Sequence, residues 1–317
     1  MPEDGGAFSI ESPGSFLYSA GMKSRILEDS LFTFVGPGML LASALMFAVM
    51  DGTVKLVDPT LRVWDIGFYR FFSNMIFLIL ISGRRSNPFL GKNVPLLIIR
   101  GVVGSIAFLS VIAAIRLIPI STAMVLFFSF PAFTAVFSPL IFGERISIIE
   151  LIWVFIAILG VVVLFEFRWE INMPGQILGQ TMALTGAVFA GLTVTVIKKL
   201  RDDHGTIPIY LYFCLLGTII TFPMFISQPG IPETALDWIL ILVIVTSSLL
   251  GQLLMTNGIR YCKSWESGIL MMTELIFTSI LGIVFLSETV GWRFWAGGSM
   301  ILLSVVMLQF HHFSKIR

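Results

Sequence analysis

Apolar residues in this chain come in long runs, each closed by a charge, a proline or a glycine. About 20 mostly apolar residues make one helical crossing of a bilayer, and the runs predict ten such crossings. They cover Val35–Leu56, Val63–Ser82, Pro95–Ile115, Ile120–Phe142, Ile148–Leu164, Gln176–Ile197, Ile207–Ile226, Trp238–Tyr261, Ser267–Leu286 and Trp292–Phe310. The connections are short, so no loop has room for a soluble domain. Residues 1–34 read as a polar N-terminal tail without the layout of a cleavable signal peptide, and residues 311–317 as a C-terminal tail.

Adding 144 to a position in the first half reaches a matching position in the second, without a gap. Lys55 meets Lys199, Pro88 meets Pro232, Arg116 meets Arg260, Phe133-Thr134 meets Phe277-Thr278 and Glu144 meets Glu288. A constant offset that also superposes five apolar runs on five others is the mark of a duplication. The expected units are residues 35–164 and 176–310. Five is odd, so a unit that begins on one side ends on the other and its copy starts there. The halves should therefore be inverted, an arrangement that gives secondary carriers two near-equivalent states.

Charge orients the bundle. With the N-terminus in the cytoplasm, thirteen Lys and Arg fall on the inner side, against Lys55, Arg62, Arg116, Arg168 and Arg293 on the outer one. Basic residues accumulate on the cytoplasmic side, so both termini are expected there, in a plasma or inner membrane. Composition agrees with a lipid solvent: 56% of the 317 residues are hydrophobic and 12% charged, far from the balance of soluble domains. Net charge is +1 and no basic stripe exists, so no nucleic-acid partner is expected. The bilayer and a small-molecule solute are the expected partners, with a homodimer left open. Cys214 and Cys262 lack metal-site spacing and read as packing residues.

Several stretches carry a family pattern. Arg100-Gly101 leads through Ala123-Met124-Val125-Leu126 and Phe130-Pro131-Ala132-Phe133 to Phe142-Gly143-Glu144-Arg145, and the second half repeats it as Ser267-Gly268-Ile269-Leu270, Thr273-Glu274-Leu275-Ile276-Phe277 and Leu286-Ser287-Glu288. Over residues 35–310 the chain resembles the EamA-type ten-helix members of the drug/metabolite transporter superfamily. It departs from many of them in having Leu275, preceded by Glu274, where they carry proline in the ninth helix. The resemblance implies an all-α integral membrane fold of two inverted five-helix repeats around a central cavity. It also implies a carrier that works by alternating access, coupled to protons or to exchange, on an amino-acid-like, nucleoside- or cofactor-like, or carboxylate solute.

Glu274 is the sharpest candidate for chemistry, about 8 residues or ~12 Å into its span at 1.5 Å per residue. An acid at that depth binds cationic groups or carries protons, or else only ties helices together. Met271, Glu274 and Thr278 share one helical face; their repeat partners are Phe127, Phe130 and Thr134. Thr185 among the polar positions of the sixth span (Gln180, Thr181, Thr193), and Gln252 and Asn257 beside Thr256 in the eighth, can complete a cavity or simply hydrogen-bond between helices. Asp51, Arg70 and Arg100 are the other ionisable groups at apolar positions. Arg70 is expected to pair with Asp51, or to face the cavity and select an anionic or zwitterionic solute, and Arg100 to reach its charge to the inner surface. Pro131 should bend the fourth span. Trp64, Tyr69, Tyr210, Tyr212, Trp238, Trp292 and Trp295 fall near span ends as an interfacial belt. An intramembrane enzyme is the main rival and a channel the next. The chain has no zinc, diphosphate or nucleotide motif, hence no expected cofactor, and no filter-like run.

Overall fold

The computed structural model describes residues 13–82, 93–142, 147–164, 174–200, 203–258, 270–271, 273–288 and 290–316. Among them the regular structure is helical throughout: α1 Pro13–Leu56, α2 Val63–Ser82, α3 Val94–Leu117, α4 Ile120–Phe127, α5 Phe130–Phe142, α6 Ile148–Leu164, α7 Pro174–Leu200, α8 Thr206–Ser227, α9 Ala235–Gly258, α10 Thr273–Phe285 and α11 Trp292–Ile316. Six of these helices contain stretches long and apolar enough to cross a membrane, and three shorter apolar stretches fall at Ile120–Thr134, Leu151–Gly160 and Thr273–Phe285. Leu80, Leu140, Ile148, Phe155 and Phe285 stand exposed on outward faces, an apolar belt that marks contact with lipid. The chain is an integral membrane protein with several spans.

Three helices differ from the hydropathy reading, the last being α11, which continues past Phe310 to Ile316 through most of the expected C-terminal tail. α1 starts at Pro13, well upstream of the apolar run at Val35, and runs through Pro37; Pro13 stands in the first turn, where the missing N–H of proline costs no helix bond. The fourth span is divided at Phe128-Ser129 into α4 and α5. Pro131 has no backbone N–H to offer the Phe127 carbonyl. The chain crosses the gap with tighter bonds, Ser129 N–H to Leu126 O at 3.1 Å and Ala132 N–H to Ser129 O at 3.0 Å.

Helices pack where small residues let backbones meet. α3 lies along α7 and α8, α1 along α9 and α10, α2 against α8, and α6 against α11. The Ser43 hydroxyl on α1 donates to the Gly251 carbonyl on α9 at 2.7 Å. Across the other crossing, a Cβ placed on Gly186 of α7 would meet the Ala107 carbonyl of α3 at 3.3 Å. The broken fourth span is held by α7 at Gly191, where an added Cβ would lie 2.8 Å from the Phe130 carbonyl oxygen.

Helix ends on one side are tied together by charged side chains. Lys55 Nζ donates to the carbonyls of Ile115 and Ile118 at 2.7 and 2.6 Å. Arg116 returns the contact, donating to the carbonyls of Val57, Asp58 and Leu61 at 2.6–3.0 Å beyond the end of α1. Glu288 accepts from the first N–H groups of α4, Ile120 at 2.6 Å and Ser121 at 3.1 Å, and from the Ser121 hydroxyl at 2.8 Å. A carboxylate at a helix N-terminus meets both the open N–H groups and the positive end of the dipole. Arg62 bridges to Asp65 at 3.0 Å and donates to the Met224 carbonyl at 2.8 Å and to the Gln228 carbonyl, joining the α1–α2 and α8–α9 connections. In the same loop the Thr60 hydroxyl, followed by its backbone N–H, holds the Asp58 carboxyl below its ordinary range. The Gly143-Glu144-Arg145 stretch, Arg260, Cys262 and Ser267-Gly268-Ile269 lie outside the described residues.

Gly191→Ala should overpack the α5–α7 contact and lower stability by about 1–3 kcal/mol. Gly38→Ala, in a helix with nothing within 4 Å of the new methyl, should be neutral or stabilising. The apparent melting temperatures of the two purified variants check both; equal effects would contradict the packing.

Candidate functional site

The interior of the bundle collects the polar groups singled out in the sequence, though not all of them and not always as read. Glu274 and Thr278 are buried on α10, Glu274 at 7% exposure. The Thr278 hydroxyl donates to its own helix, at 2.9 Å to the Glu274 carbonyl and 3.1 Å to the Leu275 carbonyl. Met271, half-buried, packs against the core. Phe127 and Phe130 flank the break in the fourth span with ring centroids 5.7 Å apart. Thr134 donates to Phe130 O at 3.1 Å and reaches Gly191 O at 3.3 Å. Both threonine donors are thus engaged within the protein.

Gln252 is buried on α9, while Asn257 stands on an exposed face. Five positions apart at 3.6 residues per turn is more than a third of a turn out of phase, so the two cannot share one wall. On α7, Thr185 is half-buried; Gln180 and Thr193 are buried, with Gln180 Oε1 and Thr193 Oγ1 lacking a partner.

Ionisable groups depart furthest from expectation. Asp51 is 2% exposed, and Arg70 and Arg100 are each 3% exposed. The expected contact pair between Asp51 and Arg70 does not form: among the described residues the one salt bridge is Arg62–Asp65. Arg70 places its guanidinium carbon 3.6 Å from the centre of the Phe108 ring instead. Arg100 does not reach the surface either; it sits 4.4 Å over Phe213. The reason is local, because Gly104 follows one turn later and a Cβ there would strike Arg100 Nη1. Glycine leaves the space into which the guanidinium folds. Asp51 lies within electrostatic range of both Arg70 and Glu274, so the acids of α1 and α10 and the guanidinium of α2 form one field.

Tyr210 and Tyr212 are buried and do not belong to an interfacial belt. Tyr210 accepts from Asn74 Nδ2 at 3.0 Å, and Asn74 also donates to Ser248 Oγ at 3.0 Å, which links α2, α8 and α9. Asn74 went unremarked in the sequence, although an amide inside an apolar run is the usual mark of an interhelical bond. Cys214 is buried beside this group, as a packing residue should be. Trp238, Trp292 and Trp295 are exposed, in keeping with a belt. No cluster that could hold a metal ion occurs among the described residues.

Comparison with known proteins places this geometry. The model of the EamA-like transporter family matches twice, over residues 34–166 and 177–310. The pseudopaline exporter CntI of Pseudomonas aeruginosa strain UCBPP-PA14 is 30% identical over 284 residues, 86% of this chain and 95% of the exporter. Human solute carrier family 35 member G1 is 26% identical over 83% of this chain and 75% of its own length. The S-adenosylmethionine uptake transporter of Rickettsia felis is 23% identical over 83% and 88%. A solved crystal structure, 17% identical, superposes with a TM-score of 0.54 over 88% of this chain and 95% of that one, so the arrangement of helices recurs in an experimental structure. With two family matches that together span most of its length, the chain belongs to the EamA-like transporter family and is a membrane transporter.

Proposed function

We propose that this transporter is a ten-span secondary carrier whose halves, residues 35–164 and 176–310, lie upside down relative to each other and pass a small organic solute by alternating access. The observation that carries the reading is the exchange symmetry of the packing. Under the 144-residue offset, α1 corresponds to α7 and α3 to α9. The two crossings α1 with α9 and α3 with α7 are therefore counterparts, as are α5 with α7 and α10 with α1, and α3 with α8 and α9 with α2. The match extends to backbone: Gly251 and Ala107 are offset partners, and each brings its carbonyl to residue 43 of α1 or residue 186 of α7, positions one step from equivalence. Each half supplies a wall to the other, which an inverted pair requires. Both termini and the α7–α8 connection are cytoplasmic in this reading, and the tied loops around Arg62, Arg116 and Glu288 face outward.

The relatives named for pseudopaline export and S-adenosylmethionine uptake support a solute of metabolite size. In this reading Met271 just before α10 and Glu274 on it, with Phe127 and Phe130 at the broken span, supply apolar walls and an acid, and Thr185, Gln252 and Arg70 complete the cavity. A break beside such a site supplies the bend that gating needs. Glu274, in electrostatic range of Asp51, is the group through which a proton gradient would act, since an intramembrane acid that can be neutralised can cross with or against its load.

In proteoliposomes, uptake of the transported solute should saturate and be stimulated by unlabelled solute inside. Conductance that rises without saturation would favour a channel. In Glu274→Gln, gradient-driven accumulation should fall to the level seen without a pH gradient, whereas solute exchange at equal pH persists. A Glu274→Gln protein that retains full pH-dependent accumulation would remove the acid from the coupling step.

A further inference from the structure

Two guanidinium groups are buried in the same part of the bundle, and among the described residues no carboxylate contacts either. Arg70 comes from α2 and Arg100 from α3, and both lie close to the ring of Phe213 on α8, at 5.6 and 4.4 Å from its centre. Nε and Nη1 of both side chains are buried and have no hydrogen-bond partner. Tyr210 and Cys214 on α8 lie within electrostatic range of both. Asn74 presents its Oδ1, also without a partner, beside Tyr210.

Taking a charge out of water is costly even after relaxation, and a ring under a guanidinium returns only part of that cost. Phe108 and Phe213 therefore offset only part of the cost of two cations. Asp51 acts on Arg70 only across a distance and makes no salt bridge with either guanidinium. Arginines inside a membrane that serve only to hold helices together are paired with acids or backbone carbonyls. Here four guanidinium nitrogens have no partner, and the absence of a side chain at Gly104 leaves the space that seats Arg100.

We propose that Arg70 and Arg100 form the anion-binding subsite of this carrier and that its solute bears a carboxylate. The guanidinium fork matches a planar carboxylate with two parallel bonds. The inference rests on the carrier reading and narrows its solute to an anion or a zwitterion, whose cationic part would then lie toward the acids of α1 and α10.

Purified wild-type protein, at constant ionic strength made up with sodium chloride, should gain thermal stability with rising succinate and not with succinamide, which has the same shape without the charge. Arg70→Lys and Arg100→Lys keep a cation and lose the fork; each should bind succinate at least about tenfold more weakly, the loss of one charge-assisted hydrogen bond. No difference between succinate and succinamide in the wild type would overturn the subsite even if neither variant folds. So would stabilisation by inorganic phosphate alone, or an unchanged succinate response in both variants. Labelled succinate in counterflow separates the two readings: succinate-specific binding without exchange keeps the subsite and removes the carrier beneath it. Saturable exchange of an uncharged solute with no carboxylate response keeps the carrier and removes the subsite.

Discussion

Hydrocarbon offers no partner to a peptide N–H or C=O, and every other feature of this protein follows from meeting that demand internally. Regular helices meet it along their length. Hydroxyls of Thr53, Ser105, Thr195, Thr221 and Thr278 fold back onto carbonyls of their own helices, so polar side chains ride inside the bundle without needing water. At the ends and at the break the helix cannot help itself, and the chain spends its few charges there. Glu288 closes the start of α4, Lys55 closes the end of α3 and Arg116 the end of α1. The family-like pattern that ends one helix in glutamate thus has a physical cause: the carboxylate caps the helix opposite.

Spans and halves could be read from the chain because bilayer thickness dictates run length and duplication leaves a constant offset. α2, α3 and α8 begin or end within a few residues of where apolar runs do. Pro131 announced a bend, and the chain parts two residues before it. What hydropathy could not convey is direction around a helix. Tyr210, near the end of a run, was indistinguishable from an interfacial tyrosine, yet it points inward to Asn74. Arg100 had the length to reach the surface, and only the proximity of Gly104 and Phe213 explains why it does not. Asn257 and Gln252 are close in sequence and face different ways. A pair such as Asp51 and Arg70 looks complementary on neighbouring helices, but an aromatic face at 3.6 Å competes with a carboxylate that does not reach contact.

The buried charges divide by element. Apart from Asp65 and Asp237 in the first turns of α2 and α9, the buried acids lie on α1 and α10, which are packed together, and the buried guanidiniums on α2 and α3, gathered around Phe213 of α8. A bundle that served only to be stable would have little reason to bury four ionisable groups without one contact ion pair among them, since each must be offset at a distance. A bundle that binds a charged load and releases it on the other side must leave such groups ready. In the proposed carrier, the ties around Glu288, Arg116 and Arg62 would close one face and the crossing contacts at Gly186 and Gly251 would be the surfaces on which the halves pivot.

Inversion of the two halves is the claim beneath all of this, and residues 59 and 203, 144 positions apart and both exposed in connections, test it directly. Pro59→Cys and Asp203→Cys, each made in a protein with Cys214 and Cys262 replaced by serine, are exposed in intact cells to a maleimide that cannot cross the membrane. The account predicts labelling at 59 in intact cells and at 203 only after permeabilisation; labelling of both from the same side would contradict it.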